Sequence, residues 1–413
     1  MVAGIIFAVI LIDFLGFSLL IPVLPLYARQ MGATPSQVGL MLSLYSIALV
    51  LFLPLWGWVS DRVGRRPVIL VCLAGTAGSF ALMAVAETTS TIYVARALGG
   101  LFGASLGTAQ AYIADITEAD DRARGMGLIG AAFGIGGVLG NAMGGLLYPI
   151  HPEAPFWVAS GLTLSAFAVG VVLLPESRAA GTAPIRRGSL LRACVPTPLM
   201  ALLGAHTSRN RLYFYLFFHI FAAFTALEAM FPLYAQAIGW SVWETGLFLA
   251  YIGLGVAVTQ GLLIGPLIAR FGEGRMVTVG LLLTGLGMLG FSVTGRLPLQ
   301  LFTGALVASG VGIAFPTFTS LFSKVLAPDE AGEFLGYSQS MAQTGRALGP
   351  YWGGWAFLAI GATAPFWIGG LGVLASVVIF VAFTRLLMPD NPAPSRYVCT
   401  PAGGDSEVTR RTQ

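Results

Sequence analysis

The sequence predicts an all-α membrane protein in which twelve transmembrane helices form two related halves of six helices each. Of its 413 residues, 56% are hydrophobic and only 10% are charged, and the mean hydropathy is +0.82. Globular domains carry about 25% charged residues, whereas ionised groups are costly in hydrocarbon. Its apolar runs reach roughly 20 residues, the length at which a helix crosses a bilayer, and they lack the short alternation of barrel strands.

Turn-forming residues divide the apolar runs into twelve candidate spans. In chain order, spans 1 to 12 are predicted at residues 4–28, 36–59, 67–87, 91–115, 123–148, 154–175, 212–237, 243–269, 276–295, 298–323, 333–358 and 364–388. No basic stretch precedes span 1, so we expect this segment to remain in the mature protein and not to be cleaved as a signal peptide.

The distribution of basic residues predicts the orientation of the spans. Loops on one side of the membrane hold Arg62, Arg65, Arg66, Arg122, Arg124, Arg178, Arg186, Arg187, Arg192, Arg209, Arg211, Arg270, Arg275 and Lys324. The opposite loops hold only Arg29 and Arg296. Because cytoplasmic loops are enriched in Lys and Arg, the basic side and both termini are predicted to be cytoplasmic.

Composition along the chain indicates four segments. We predict an N-terminal six-helix half at 1–175, a cytoplasmic linker at 176–210, a C-terminal half at 211–388 and a disordered cytoplasmic tail at 389–413. The net charge of +4 comes without a basic domain outside the spans, so no nucleic-acid partner is expected. The three cysteines lie far apart and have no metal-ligand spacing, so no metal is expected either.

The second half repeats the first. PLYARQMGATPSQVGL at Pro25–Leu40 aligns without a gap with PLYAQAIGWSVWETGL at Pro232–Leu247. Spans 5 and 11 also align, because Gly136, Gly140, Gly144 and Gly145 correspond to Gly345, Gly349, Gly353 and Gly354. Two parallel six-helix repeats resemble the architecture of major facilitator transporters, in which the substrate binds between the halves.

The repeated glycines give spans 5 and 11 small faces. Such faces allow close helix packing, and they equally suit a bendable interface that changes during transport. Both interpretations remain open. Pro350 adds a predicted kink to span 11. The candidate hinge residues are Gly136, Gly140, Gly144, Gly345, Gly349, Pro350 and Gly353.

The loop between spans 2 and 3 holds a candidate cytoplasmic gate. Its residues are Gly57, Asp61, Arg62, Gly64, Arg65 and Arg66, and Asp115 at the cytoplasmic end of span 4 is added to them. Three arginines by themselves would be only a topology signal. The string also resembles the GxxxDRxGRR signature of the major facilitator superfamily, which implies a charge lock on the cytoplasmic side. The counterpart at Gly265–Arg275 has Ala269 where the acid would be, which predicts a weaker second lock.

Away from the span ends, five ionisable residues fall within spans, where each needs a structural or functional reason: Asp13, Arg96, His219, Glu228 and Arg346. A carboxyl removed from water can exchange protons near neutral pH, so Asp13 and Glu228 are candidates for proton or substrate binding. Asp13 could instead bond neighbouring helices, and Glu228 could bind a cationic compound. His219 suits packing or a proton relay, and Arg346 suits an acid partner or an anionic substrate. Aromatic residues that could line a cavity or simply pack include Phe14, Phe17, Tyr45, Phe221 and Trp352.

Several segments resemble drug:proton antiporters, and most closely the tetracycline efflux branch. They are IDFLGFSLLIPVLPLYA, SDRVGRRPVILVCLAGTAG and AYIADITEADDRARGMGLIGAAFG. The stretch from Arg96 resembles the fourth-span RxxxG signature that is associated with proton coupling, and GRALGPYWGG resembles the antiporter motif. Span 5 has Asn141 at the proline position of that motif. Tetracycline pumps carry acids in spans 3 and 9, whereas this chain has Gly78-Ser79-Phe80 in span 3, which argues against tetracycline itself.

The resemblance implies a proton-coupled secondary transporter that exports small amphipathic compounds by alternating access. We expect a monomer in the bacterial inner (plasma) membrane that is driven by the proton gradient and needs no cofactor. Export of a sugar or another metabolite is the alternative, and a receptor or scaffold would need a soluble domain that is not visible in the sequence. The sequence lacks a GxxxxGK[ST] loop, so an ATP-driven pump or an enzyme is not expected.

Overall fold

The computed structural model describes residues 2–117, 122–177, 208–293, 295–325 and 331–387. These residues form helices and no β-strand. Ten of the helices are long and apolar enough to cross a membrane. The other two predicted spans are also helical in the structure. Span 4 is broken into two helices, and span 11 is a continuous helix that is rich in polar residues. The prediction of an all-α membrane fold is confirmed. The predicted tail and positions 178–207 of the predicted linker lie outside the described residues.

The first half contains six spans, two of which consist of two helices. Span 1 is Val2–Leu19 and Leu24–Gln30, span 2 is Pro35–Val63, span 3 is Arg65–Ala84, span 4 is Thr89–Phe102 and Ser105–Ile116, span 5 is Arg122–Leu147, and span 6 is Ala154–Leu173.

The second half begins at Ser208, within the stretch predicted as linker. Span 7 is Ser208–Ala237, span 8 is Val242–Val258 continued by the π-helical turn Thr259–Leu263 and by Ile264–Phe271, span 9 is Glu273–Phe291, span 10 is Leu297–Val325, span 11 is Ala331–Ala359, and span 12 is Ala364–Leu387.

Spans 2 and 8 begin at repeat-related capping boxes. Thr34 caps span 2, and its backbone N–H donates to Gln37 Oε1 at 2.8 Å. Ser241 caps span 8 in the same way, donating to Glu244 Oε2 at 2.7 Å. A capping box satisfies two of the N–H groups that a helix start leaves unpaired. The repeat therefore includes local start signals as well as apolar periodicity.

Span 4 is not the continuous helix predicted at 91–115, because it is interrupted at Gly103 and Ala104. Carbonyl groups beside the break find partners on other spans. Trp56 Nε1 donates to the Leu101 carbonyl at 2.6 Å, and the Thr76 hydroxyl donates to the Phe102 carbonyl at 3.4 Å. Broken helices are tolerated at membrane depth when neighbouring side chains pair the freed backbone groups.

The two ends of the molecule differ in how the halves meet. We call the end with Arg62, Arg65 and Arg66 the basic end, and the end with Arg29 and Arg296 the opposite end. A hydrophobic cluster at the opposite end joins first-half residues such as Leu19 to second-half residues such as Met230. At the basic end, the cluster around Ile6 and Tyr112 consists of first-half residues. The halves are thus packed together at the opposite end, whereas no described hydrophobic cluster joins them at the basic end.

Candidate functional site

Asp13 lies in span 1 beside the break in span 4. The hydroxyl of Ser105, the first residue after the break, donates to Asp13 Oδ2 at 2.7 Å. Ser105 is buried and Asp13 is partly buried. The break therefore delivers a hydrogen-bond donor to an acid inside the membrane. Ser105 was not predicted as a site residue, because a serine in the small-residue run GASLG of span 4 gives no signal of its own.

Arg96 contacts Tyr45, which also interacts with Asp13. Its guanidinium carbon is 4.4 Å from the centre of the Tyr45 ring, and Arg96 is 3% exposed. The Arg96 Nε has no hydrogen-bond partner among the described residues. The ring can hold the cation electrostatically, and this attraction strengthens when the groups are desolvated. Arg96 is thus held by an aromatic ring, and no ion pair joins it to Asp13 in the described structure.

Tyr45 connects the two charged groups because Gly103 leaves room for it. A Cβ at Gly103 would lie 2.8 Å from the Tyr45 hydroxyl, so a larger residue there would displace that hydroxyl. Tyr45 interacts electrostatically with both Arg96 and Asp13. The first half therefore holds one polar cluster, made of Asp13, Ser105, Tyr45 and Arg96, which we call the Asp13 cluster.

Aromatic rings flank the Asp13 cluster. Phe17 lies 5.2 Å from Tyr45 between ring centroids, and Phe14 lies 3.9 Å from Phe133 of span 5. Phe14 and Phe17 stack on each other at 5.7 Å. These rings form an apolar, polarisable surface beside Asp13, which suits an amphipathic ligand.

Glu228 and Arg346 form a second charged group in the second half. They attract each other electrostatically, but they make no direct ion pair in the described structure. The Arg346 guanidinium carbon lies 4.8 Å from the centre of the Phe221 ring. Glu228 is partly buried and Arg346 is exposed, although both belong to membrane-spanning helices. Neither side chain is fully enclosed by the described residues around it.

His219 is separated from these groups, although the sequence analysis placed it among the same candidates. Its imidazole stacks on Tyr215 at 5.6 Å and lies against Gly372 of span 12, where a Cβ would overlap the ring. His219 and Glu228 are nine residues apart, which puts them on opposite faces of span 7. The structure places His219 in helix packing and not beside the Glu228–Arg346 pair.

The predicted gate motif organises the basic end of the first half. Arg65 bonds Asp61 at 2.7 Å, Asp115 at 3.1 Å and Ser60 at 2.5 Å, and thus joins spans 2, 3 and 4. Gly64 has φ 109°, a conformation that glycine adopts readily, and it turns the chain between spans 2 and 3. Arg62 lies over Trp58, with 3.6 Å between the guanidinium carbon and the ring centre. Nothing lies within 4 Å of a Cβ added at Gly57.

Glu176 belongs to this network and was assigned to the linker by the sequence analysis. Its carboxylate accepts hydrogen bonds from the backbone N–H groups of Arg65 at 2.9 Å and Arg66 at 3.1 Å. A carboxylate is favourable at a helix N-terminus because the first N–H groups have no partner within the helix. The end of span 6 is thereby fastened to the start of span 3. The signal in the sequence was an acid directly after an apolar run.

Asp115→Asn should lower the free energy of unfolding by about 1–2 kcal/mol, because it weakens a charge-assisted hydrogen bond to the buried Arg65. The Asp115 side chain is 26% exposed and Arg65 is 9% exposed. Asp61→Asn is the matched control, because the Asp61 side chain is 51% exposed and such pairs contribute about 0–1 kcal/mol. Thermal unfolding of each purified variant, followed by tryptophan fluorescence, measures the loss of stability that each substitution causes. Equal losses would show that the Asp115 contact is not the stronger one.

The predicted hinge glycines pack each repeat-related helix against its partner within the same half. In span 5, a Cβ at Gly136 would be 3.1 Å from the Leu15 backbone nitrogen and one at Gly140 would be 2.6 Å from the Leu15 carbonyl, while Gly144 lies against Leu19. In span 11, Gly345, Gly349 and Gly353 face Phe218, Thr225 and Ala226 of span 7. Close packing is therefore one role of these glycines in the described structure.

Two further glycine pairs connect the halves at the opposite end. A Cβ at Gly39 of span 2 would overlap the Pro350 carbonyl and would lie 3.3 Å from Gly354 Cα of span 11. A Cβ at the repeat-related Gly246 of span 8 would lie 2.7 Å from Gly145 Cα and 2.6 Å from the Asn141 carbonyl of span 5. We call these the paired glycine contacts. Asn141 and Pro350, which occupy the same position of the two aligned strings, both lie in them.

Two six-helix halves that enclose charged groups at membrane depth define a multi-pass membrane transporter. A family model described as Major Facilitator Superfamily matches residues 6–263 and 253–398, and the chain belongs to that family. Family members are transporters of small molecules and not enzymes. The resemblance inferred from the gate motif and the repeat is confirmed.

Several relatives that are similar over most of the chain are resistance proteins. Tetracycline resistance protein class G of Vibrio anguillarum is 31% identical over 92% of this chain and 95% of its own length. Tetracycline resistance protein class C of Escherichia coli is 33% identical over 84% of this chain and 87% of its own length. Multidrug resistance protein 2 of Bacillus subtilis is 28% identical over 84% of this chain and 86% of its own length.

Solved structures show the same fold. The human organic anion transporter MFSD10 (TETRAN) has a TM-score of 0.70 and 26% identity, covering 92% of this chain and 98% of that chain. The nucleoside transporter NupG has a TM-score of 0.75 at 15% identity, covering 94% of this chain and 99% of that chain. At that identity, the likeness to NupG concerns the fold alone.

Proposed function

We propose that this protein is a proton-coupled secondary transporter that exports small amphipathic compounds. The observation that carries the proposal is the Asp13 cluster, in which an acid inside the membrane has a 2.7 Å hydrogen bond to Ser105 and interacts with Tyr45, whose ring also contacts the buried Arg96. Intramembrane acids with a nearby cation are typical of proton pathways in transporters. The resistance proteins among the relatives support export of drug-like compounds.

Protons act on this cluster through the charge of Asp13. An ionised Asp13 attracts the Arg96 guanidinium away from the Tyr45 ring, because an ion pair in a low dielectric is stronger than a cation–π contact. A protonated Asp13 releases it. The position of Arg96 thus depends on protonation, and Arg96 belongs to span 4, which is broken beside Ser105. When Arg96 moves, the two helices of span 4 move with it, and this movement alters the conformation of the first half.

Alternating access follows from the way in which the halves meet. The paired glycine contacts hold the opposite end closed, and we propose that the space between the halves opens at the basic end, where no described hydrophobic cluster joins them. By the positive-inside rule the basic end is cytoplasmic, so this conformation admits substrate from the cytoplasm. Rocking of the halves then closes the basic end and separates the paired glycine contacts, which releases substrate outside.

One chain is sufficient for this cycle because both walls of the substrate space come from the same polypeptide. We therefore propose a monomer in the bacterial inner membrane with both termini in the cytoplasm. Its partners are the substrate, protons and the surrounding lipid, and the proton gradient replaces a cofactor as the source of energy.

Everted membrane vesicles test the proposed function. Vesicles that contain the protein should accumulate amphipathic dyes and antibiotics when respiration acidifies their interior, and a protonophore should abolish the uptake. Vesicles from the same strain without the protein are the control. Uptake of radiolabelled sugars in place of dyes would support the metabolite exporter. Dye uptake that survives the protonophore would contradict proton coupling.

A further inference from the structure

Arg346 faces the space between the halves. Pro350 and Gly354 follow it at intervals of four residues, and both contact span 2 of the first half. Residues four apart lie on the same face of a helix, so Arg346 is on the face toward the first half, one turn nearer the basic end. Arg346 is exposed, although it belongs to a membrane-spanning helix. Its side chain therefore borders the space in which substrate is proposed to bind.

The hydrogen-bonding edges of this guanidinium are open. Phe221 covers one face of it at 4.8 Å, and no described residue accepts a hydrogen bond from it or pairs with it ionically. Neighbouring polar side chains donate their hydrogen bonds to backbone carbonyls. The Thr344 hydroxyl donates to the Ser340 carbonyl at 2.8 Å, and Trp352 Nε1 donates to the Ala222 carbonyl at 3.3 Å. A guanidinium has five donors in a planar fork that fits an anionic oxygen pair, and the ring beneath it fixes the plane of the fork.

Glu228 has an open carboxylate in the same region. No described residue donates a hydrogen bond to it, and its attraction to Arg346 does not produce a direct ion pair. Two opposite charges that stay apart inside a membrane protein leave room for a group that contacts both. Such a group needs an anionic part for Arg346 and a hydrogen-bond donor or cationic part for Glu228.

We infer that Arg346 and Glu228 form a substrate subsite for amphipathic compounds that carry an anionic group, such as a carboxylate, phenolate or enolate, beside a hydrogen-bond donor or a cationic group. Arg346 binds the anionic oxygens through its open edge, and Glu228 binds the donor or the cationic group. Phe221 and Phe315, which meet edge to face at 4.8 Å, supply the apolar surface behind the guanidinium. The inference rests on the proposed function, because it assigns a substrate class to the same space between the halves. The organic anion transporter among the solved structures is consistent with it.

Binding of two matched dyes to the purified full-length protein in lipid nanodiscs tests this subsite. Rhodamine B has a free carboxylate, and its ethyl ester has the same ring system with that group blocked. Wild-type protein should bind the free acid about tenfold more tightly, as expected for one charge-assisted contact. Arg346→Gln should remove this preference, and Arg346→Lys should retain part of it, because the charge remains while the fork is lost.

Arg211→Gln is the control for loss of one positive charge, because Arg211 is exposed near the start of span 7. It should keep the wild-type preference. A preference that persists in Arg346→Gln, or a wild-type protein that binds both dyes equally, overturns the subsite while leaving proton-driven export intact. A wild-type protein that binds neither dye and transports neither in everted vesicles contradicts both the subsite and the proposed function. The Lys variant keeps the test decisive if the Gln variant misfolds.

Discussion

Asp13→Asn is expected to abolish transport driven by a proton gradient in proteoliposomes. Asparagine has nearly the same shape and can still accept the hydrogen bond from Ser105, which is 2.7 Å in the native protein, but it cannot carry a proton. Removing a positioned proton-transfer group lowers rates by about 100-fold or more. Uptake of a fluorescent substrate after an imposed pH gradient measures the effect directly.

Substrate exchange without a gradient separates a coupling role from a structural one. Asp13→Asn should retain exchange, because the halves can still alternate around bound substrate. Glu244→Gln removes an exposed carboxylate from the start of span 8, where glutamine also serves in a capping box, and it should leave coupled uptake nearly unchanged. Full coupled uptake by Asp13→Asn would refute its assigned role, and loss of exchange as well would indicate a structural defect.

Gly39→Ala combined with Gly246→Ala is expected to open the opposite end of the transporter. Each added methyl group overlaps the facing helix, because the Cβ at Gly246 would lie 2.6 Å from the Asn141 carbonyl and that at Gly39 would overlap the Pro350 carbonyl. Overpacking of this kind costs about 1–3 kcal/mol per site. Two sites together should shift the ratio of closed to open states by about 30-fold or more, since 1.4 kcal/mol is tenfold.

Distances between spin labels at Ile150 and Val293 measure this shift. Both residues are 77% exposed in loops at the opposite end, and they belong to different halves. Their separation should increase in the double variant, and coupled transport should fall because one state is trapped. Gly78→Ala is the matched control, because a Cβ there has nothing within 4 Å. An unchanged distance distribution in the double variant would show that the paired glycine contacts do not hold this end closed.

Most of the fold followed from the sequence because membrane helices have strong local signals. Apolar length defined the spans, and the PLYA register together with the repeated glycines defined the halves. The family followed from the gate string Gly57–Arg66 and was confirmed by the match to the family model. The candidate charges also followed, since five ionisable residues inside apolar runs are conspicuous without any structure.

The arrangement of those charges did not follow from the sequence. His219 and Glu228 belong to one span, and only helix geometry separates them. Ser105 carries no intramembrane charge, so it gave no signal until the break in span 4 placed its hydroxyl 2.7 Å from Asp13. In the sequence, Tyr45 is one of several aromatic residues that could line a cavity or simply pack. Only the structure shows that its ring contacts the Arg96 guanidinium.

The sequence by itself determined which segments enter the membrane, that the halves are related, and which ionisable residues lie among the apolar spans. The physical reason is that transfer of each segment to lipid depends on its own composition and length. Tertiary structure alone decided that the halves meet at Gly39 and Gly246 and that Arg346 remains unpaired beside Glu228. These features depend on contacts between residues far apart in the chain, where the approach of two backbones is set by packing on both sides.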